Sequence, residues 1–224
     1  MSETVTPAAE GAGATRRTTR GLVTRERIVA AAAQLMFERG VAGTSTPDVR
    51  DAAGVSSSQI YHYFADKSAL TRAVIEFQTA RILTGQRVLL SRLDSFEALR
   101  DWRDAIVQIE HDLDCRGGCP LGSLTSELAE HDPAARSALA EGFTLWTDAI
   151  RDGLQDMLDR GVLRDDADPH RLSLATMAAL QGGLILAQAQ RSTAALEAGL
   201  DAMIERIAFH AVAPWRQGLR RDLS

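Results

Sequence analysis

Apolar side chains recur every three or four positions through most of the chain beyond residue 66. They fall at Leu70, Val74 and Phe77, then at Leu99, Trp102, Ile106, Ile109 and Leu113, then at Leu139, Phe143, Trp146, Ile150, Leu154 and Met157. That is the period of amphipathic helix, with little of the alternation a half-buried strand needs. Breaks fall near Asp94, at Arg116-Gly117-Gly118, at Asp132-Pro133, from Gly161 to Pro169 and near Ser192. They divide the region into about six helices with mostly short connections. Three shorter helices precede them. The predicted class is all-α, a three-helix N-terminal unit followed by a larger helical domain.

The most informative stretch is Thr46 to Lys67. Thr46 reads as a cap, Pro47 as the first helical residue, and Asp48 as an acid at the positive helix end. Gly54 can end this helix in the left-handed conformation, and Ala52 and Ala53 allow close approach of a neighbour. Ser56-Ser57-Ser58-Gln59 then reads as a capping box, with Val55 and Ile60 spaced as a hydrophobic staple. Ile60 and Phe64 lie on one face of the second helix. Ser57, Ser58, Tyr61 and His62 lie on the other, with Tyr63 at the boundary. This is the outline of a helix-turn-helix, which also occurs in bundles that never meet DNA.

Residues 24 to 70 resemble the DNA-binding domain of the TetR family of transcriptional regulators. The resemblance rests on Phe37-Glu38-Arg39-Gly40, on Thr46, and on Gly54-Val55-Ser56, Tyr61, Tyr63-Phe64 and Lys67 at matched spacing. Ser58 stands where the family often has glycine. The resemblance implies that Thr46, Tyr61, Tyr63 and Lys67 hold phosphates, and that Ser57, Ser58, Gln59 and His62 approach base edges beside the capping Ser56. Phosphate contacts set register, whereas a Gln amide can bond adenine as a bidentate pair. Gln59 therefore has two competing uses, base reading and capping. Lys67 follows Asp66, a candidate cap of the next helix, so its charge and the helix end can face one phosphate.

Charge adds a local bias. Arg16, Arg17, Arg20, Arg25, Arg27, Arg39, Arg50, Lys67 and Arg72 outnumber Glu3, Glu10, Glu26, Glu38, Asp48, Asp51 and Asp66 in the first 75 residues, although the whole chain carries −5. Binding must come from a local basic face and shape, not from overall charge. The arginines before the first helix read either as a phosphate or minor-groove arm or as a solvated tail.

At 224 residues, 45% hydrophobic and 25% charged, the chain has room for a small domain and a larger one. The expected organisation is a disordered arm over 1–20, a DNA-binding domain over 21–67, a ligand-binding and dimerisation domain over 68–212 and a tail over 213–224. Pro169 to Arg191 is apolar nearly all round, which predicts burial against its own domain and against something else. Gly182-Gly183 permits close approach of a helix, and Leu196, Leu200, Met203, Ile204 and Ile207 form a stripe on the last one. The TetR resemblance implies a four-helix dimer bundle there, so Gly182, Gly183, Leu184, Leu200, Met203 and Ile207 are the expected interface. The alternative is a buried core helix in a monomer.

The same resemblance implies a cavity for a small hydrophobic effector, for which Phe77, Trp102, Ile106, Leu121, Leu124, Phe143 and Trp146 are candidates. Plain core is the alternative for each. Glu110, Glu127, Glu130 and Asp148 read as surface charges that select a cationic ligand only if buried. Cys119 to Leu128 resembles the LmrA-type drug-responsive branch of the family.

His111, Cys115 and Cys119 are spaced as soft ligands, but Gly117 and Gly118 interrupt the helix and no fourth ligand is evident. Neither a metal nor a cofactor is expected, and the thiols are open to a redox-sensor reading. The chain has no phosphate loop, nucleophile elbow or metallohydrolase motif, so an enzyme is not expected. Polar residues interrupt Leu172 to Ala189, its most apolar run, so no membrane span is expected and the protein is placed in the cytoplasm. The expected function is a homodimeric, operator-binding repressor released by a small hydrophobic ligand. A helical ligand carrier or enzyme with a DNA-binding-like head is the alternative.

Overall fold

The computed structural model describes residues 19–212. Among them the chain forms nine helices and no strand. The head comprises α1 (Thr19–Arg39), α2 (Thr46–Ala53) and α3 (Ser57–Tyr63). The larger domain comprises α4 (Lys67–Leu90), α5 (Phe96–Asp112), α6 (Pro120–Leu128), α7 (Pro133–Asp159), α8 (Pro169–Gln190) and α9 (Ala194–Phe209). Every predicted break separates two of these helices. Thr19 already opens α1, so the arm drawn over 1–20 overlaps a helix, and its earlier part lies outside the described residues, as does the tail over 213–224.

The caps explain the short head helices. Ser45, not Thr46, caps α2: its hydroxyl accepts from the Asp48 amide at 3.3 Å while its own amide donates to Asp48 Oδ2 at 2.9 Å. A box needs its ends three positions apart, and Asp48 stands three after Ser45, which moves Thr46 into the first turn. The hydrogen bonds from Ser45 hold the Asp48 carboxyl below its usual range. Gly54 ends α2 at φ +59°, a conformation that penalises any Cβ. Asp66 caps α4 through the Ala69 amide at 2.7 Å.

Packing in the larger domain follows most of the predicted stripes. Leu139, Trp146, Ile150, Leu154 and Met157 are buried along α7. Gly153 lets α7 meet the turn after α4, where a methyl would lie 2.5 Å from the Leu93 carbonyl oxygen. The α5 stripe departs from expectation. Leu99, Trp102 and Ile106 are buried, but Ile109 and Leu113 are exposed and Glu110 takes the next core position. Spacing allowed either continuation, and the buried line chose the polar one. α8 has the length and composition of a membrane span, yet it packs between α7 and α9 as a bundle helix.

Candidate nucleic-acid interface

The second helix of the turn presents a polar face on a rigid base. Ile60 and Phe64 are buried beneath it, and the Arg25 guanidinium lies 5.3 Å above the Phe64 ring. Ser57, Ser58, Gln59, Tyr61 and His62 are exposed, Tyr63 is half-buried, and His62 meets Tyr63 edge-on at 4.9 Å. Both tyrosines of the chain stand in this one helix. Thr46 at the start of α2 is half-buried, and Lys67 at the start of α4 is exposed. Two helix N-termini and a lysine are therefore available to phosphates around one reading face.

Within that face two side chains are already occupied. Ser56 Oγ accepts from the Gln59 amide at 3.2 Å and lies 2.8 Å from Ser58 Oγ. Gln59 Oε1 accepts from the Ser56 amide at 2.8 Å. A bidentate adenine contact would need that oxygen, so capping and base reading compete for it. Gln59→Ala is expected to cost roughly 1 kcal/mol of stability through the lost cap while base preference is kept. Denaturant titration beside operator-variant binding checks this; a preference relaxed by about 1–3 kcal/mol at one base pair marks base reading instead.

The head is fastened to the larger domain by contacts that sequence reasoning missed. The Val41 amide donates to Glu127 Oε2 at 2.8 Å, and the same carboxylate lies against Gly40. Gly117, at φ +89°, lies directly beneath the Phe37 ring. Within the larger domain, the start of α4 is tied to the start of α7: Arg72 donates to Ser68 Oγ at 2.9 Å, and Ser68 donates to Asp132 Oδ2 at 2.9 Å. Asp132, which also accepts from the Ala135 amide as the cap of α7, is held below the usual carboxylate range. The Val41–Glu127, Phe37–Gly117 and Ser68–Asp132 contacts join residues far apart in sequence, so local periodicity carries no trace of them.

The other expected sites are placed differently. Trp102, Ile106, Leu121, Leu124 and Trp146 are buried, and Phe77 and Phe143 pack half-buried against the same core. Leu124 borders a space of about 10 Å³ shared with Gln78, Phe37 and Pro120. A polar cleft of about 800 Å³ lies elsewhere, between Asp114 to Arg116 and Arg191 to Thr193.

Of the expected interface residues, Gly183, Leu184, Leu200 and Ile207 are buried within the protomer, where a methyl on Gly183 would lie 2.7 Å from the Leu196 Cα. The glycine serves the α8–α9 contact of one chain, and the last-helix stripe turns inward. Met203 is half-buried, and Gly182 opens to space. The exposed apolar positions of α8 are Leu174, Ala175, Ala178, Gly182, Ile185, Leu186 and Ala189. At 3.6 residues per turn they share an arc of about 120°.

Among the carboxylates, Glu127 and Glu130 are exposed and Asp148 is half-buried against Arg151. Glu110 is corrected: it is only 4% exposed, and burial pushes its carboxyl up. Both cysteines are free and buried, and burial raises the Cys119 thiol. A thiolate is the reactive form, so this setting works against a thiol sensor. His111 faces Thr193 Oγ1 at 3.4 Å, and among the described residues no group of three His, Cys, Asp or Glu is arranged to hold a metal.

Comparison with known proteins agrees with this two-part organisation. Residues 28–74 match the family of bacterial regulatory proteins named for tetR, and residues 95–201 match the C-terminal domain of LmrA/YxaF-like transcriptional regulators. An HTH-type transcriptional regulator encoded in the lacX 3' region of Lactococcus lactis is 30% identical over 183 residues, spanning 80% of this chain and 90% of its own. The HTH-type transcriptional repressor DhaR of Mycobacterium sp. strain GP1 is 25% identical over 185 residues, spanning 82% and 91%. A TetR transcriptional regulator from Chloroflexus aurantiacus superposes with a TM-score of 0.72 at 25% identity, over 87% of this chain and 98% of its own. These relatives are DNA-binding regulators, not enzymes. The chain belongs to the TetR family of transcriptional regulators.

Proposed function

We propose that this protein is a homodimeric, cytoplasmic repressor that a small, largely apolar effector releases from its operator. The observation that carries the proposal is the exposed face of α3, with Ser57, Ser58, Tyr61 and His62 exposed above the buried Ile60 and Phe64. A helix of this kind reaches base edges in the major groove while its neighbours hold phosphates. The repressor direction draws support from DhaR, which is named as a repressor. Pairing draws support from the exposed apolar arc of α8, since a second copy is the simplest cover for it. The domain boundary falls at Lys67, where the head ends and α4 runs into the larger domain.

Release works through the links between head and body. α4 is continuous from Lys67 to Leu90, and α6 grips the Val41 amide through Glu127. An effector that favours a displaced α4 or α6 changes the spacing of the two heads. It must bind that state more tightly by a coupling of about 1–3 kcal/mol.

Gel retardation on DNA flanking the protein's own gene tests the reading. Specific retardation that a ligand relieves supports it, and binding no better than to random DNA removes it. Lys67→Ala is expected to weaken binding to all sequences and to lower the slope of log affinity against log salt by about 0.9. An unchanged slope takes Lys67 off the phosphates.

A further inference from the structure

Glu110 occupies a core position without a core partner. It continues the buried face of Leu99, Trp102 and Ile106, and its Oε2 has no hydrogen-bond partner among the described residues. Three further buried polar atoms are unpaired in the same way: Arg103 Nε on α5, whose two terminal nitrogens are engaged by Asp104, Glu197 and Asp201, and Gln78 Oε1 on α4 and Trp146 Nε1 on α7. Gln78 and Trp146 are 3% exposed each.

Register brings Glu110, Gln78 and Trp146 to neighbouring levels of the bundle. Trp102 Nε1 donates to Gln86 Oε1 at 2.9 Å, which fixes the antiparallel alignment of α5 on α4. Gln78 lies eight residues before Gln86, and Glu110 eight after Trp102, so both step about 12 Å toward the head. On α7, Gly142 abuts Thr79, and Trp146 follows one turn later. The Glu110 charge is also felt at Cys119, the first residue before α6, beside Gln181 of α8. An unpaired acceptor in a core is destabilising, the more so when it is a carboxylate, and three unpaired groups together give the fold nothing in return.

Their chemistry specifies a complement. Two acceptors call for a donor, and the indole N–H calls for an acceptor. Resting on the reading of the chain as an effector-released regulator, we propose that the effector is an apolar amine. Its protonated nitrogen donates to Glu110 and Gln78, and an acceptor elsewhere on its skeleton meets Trp146. The space beside Gln78 is about 10 Å³, so binding displaces a wall. α6 is the wall with least to hold it. It has nine residues, no side-chain cap, and a start hinged on Gly117 and Gly118 at φ +89° and +60°. Because α6 carries Glu127, its displacement pulls on the head at Val41.

The test uses the purified full chain with n-octylammonium, n-octanol and n-octanoate, reading the thermal midpoint and operator retardation. Octylammonium is expected to raise the midpoint and relieve retardation, octanol to do so weakly, and octanoate not at all. Glu110→Gln is expected to leave the ligand-free midpoint unchanged or higher, because a buried carboxylate is removed, and to weaken octylammonium binding by about tenfold or more. Gln78→Met is expected to weaken it in the same sense, which keeps the test informative if Glu110→Gln fails to fold. The proposal is overturned if octanoate acts as well as octylammonium, if both variants bind octylammonium unchanged, or if no compound shifts the midpoint. Operator binding without any amine is a separate readout. If it holds while the amine fails, the effector class is wrong and the regulator stands; if it is absent, the regulator reading itself falls.

Discussion

Ile185→Glu is expected to give a folded monomer whose operator affinity is lower by about 10²–10⁴, the gain that linking two heads on one duplex provides. Ile185 is 62% exposed at the middle of the α8 arc formed by Leu174, Ala178, Gly182 and Ala189, so the isolated protomer loses no packing when it is replaced. In a dimer closed by this arc the same position is taken out of water, and a desolvated carboxylate that gains no partner is strongly unfavourable. The helical circular dichroism should match wild type while sedimentation shifts from dimer to monomer. A variant that stays dimeric moves the interface elsewhere. The exposed Phe209 at the end of α9, flanked by the Arg164 and Arg206 guanidinium groups at 5.5 and 5.3 Å from its ring, is the next place to look.

The second large effect separates two adjacent glycines. Gly183→Leu is expected to destabilise the fold by about 3 kcal/mol, since even its first carbon would lie 2.7 Å from the Leu196 Cα and force α8 from α9. Gly182 has nothing within 4 Å of where a methyl would stand, so Gly182→Leu should change the protomer by no more than about 0.5 kcal/mol. Because Gly182 lies on the exposed arc, its replacement should act on dimer affinity. Urea unfolding of both variants at one fixed concentration, beside sedimentation, checks the pair. Equal losses of stability would place both glycines on the same contact and remove the two-faced account of α8.

That pair also marks what sequence could and could not carry. Helix number, the breaks at Asp94, Gly117, Pro133 and Pro169, the Gly54 turn and the Ser56–Gln59 box were legible because each is a local rule about backbone conformation or period. Ser45 was missed as the cap of α2 because Thr46-Pro47-Asp48 satisfies the same preferences one position later. Gly182 and Gly183 looked alike because composition says that α8 is apolar all round without saying which face its own domain covers. Rotating the helix by one residue moves a position about 100° and changes its neighbour from the chain's own α9 to solvent. Glu110 was misplaced for a related reason. Ile109 and Leu113 continue the apolar spacing as well as Glu110 continues the buried line, and only tertiary packing decides between them.

The contacts that fasten head to body were the least legible. Glu127 and Val41 are 86 residues apart, so no window along the chain connects them.

Footprinting on the DNA flanking the protein's own gene tests the central claim most directly. The account predicts protection of two half-sites about one helical turn, 10–10.5 base pairs, or a multiple apart, each with major-groove guanines and adenines shielded where α3 enters. A single protected half-site, or protection indifferent to sequence at moderate ionic strength, would contradict it.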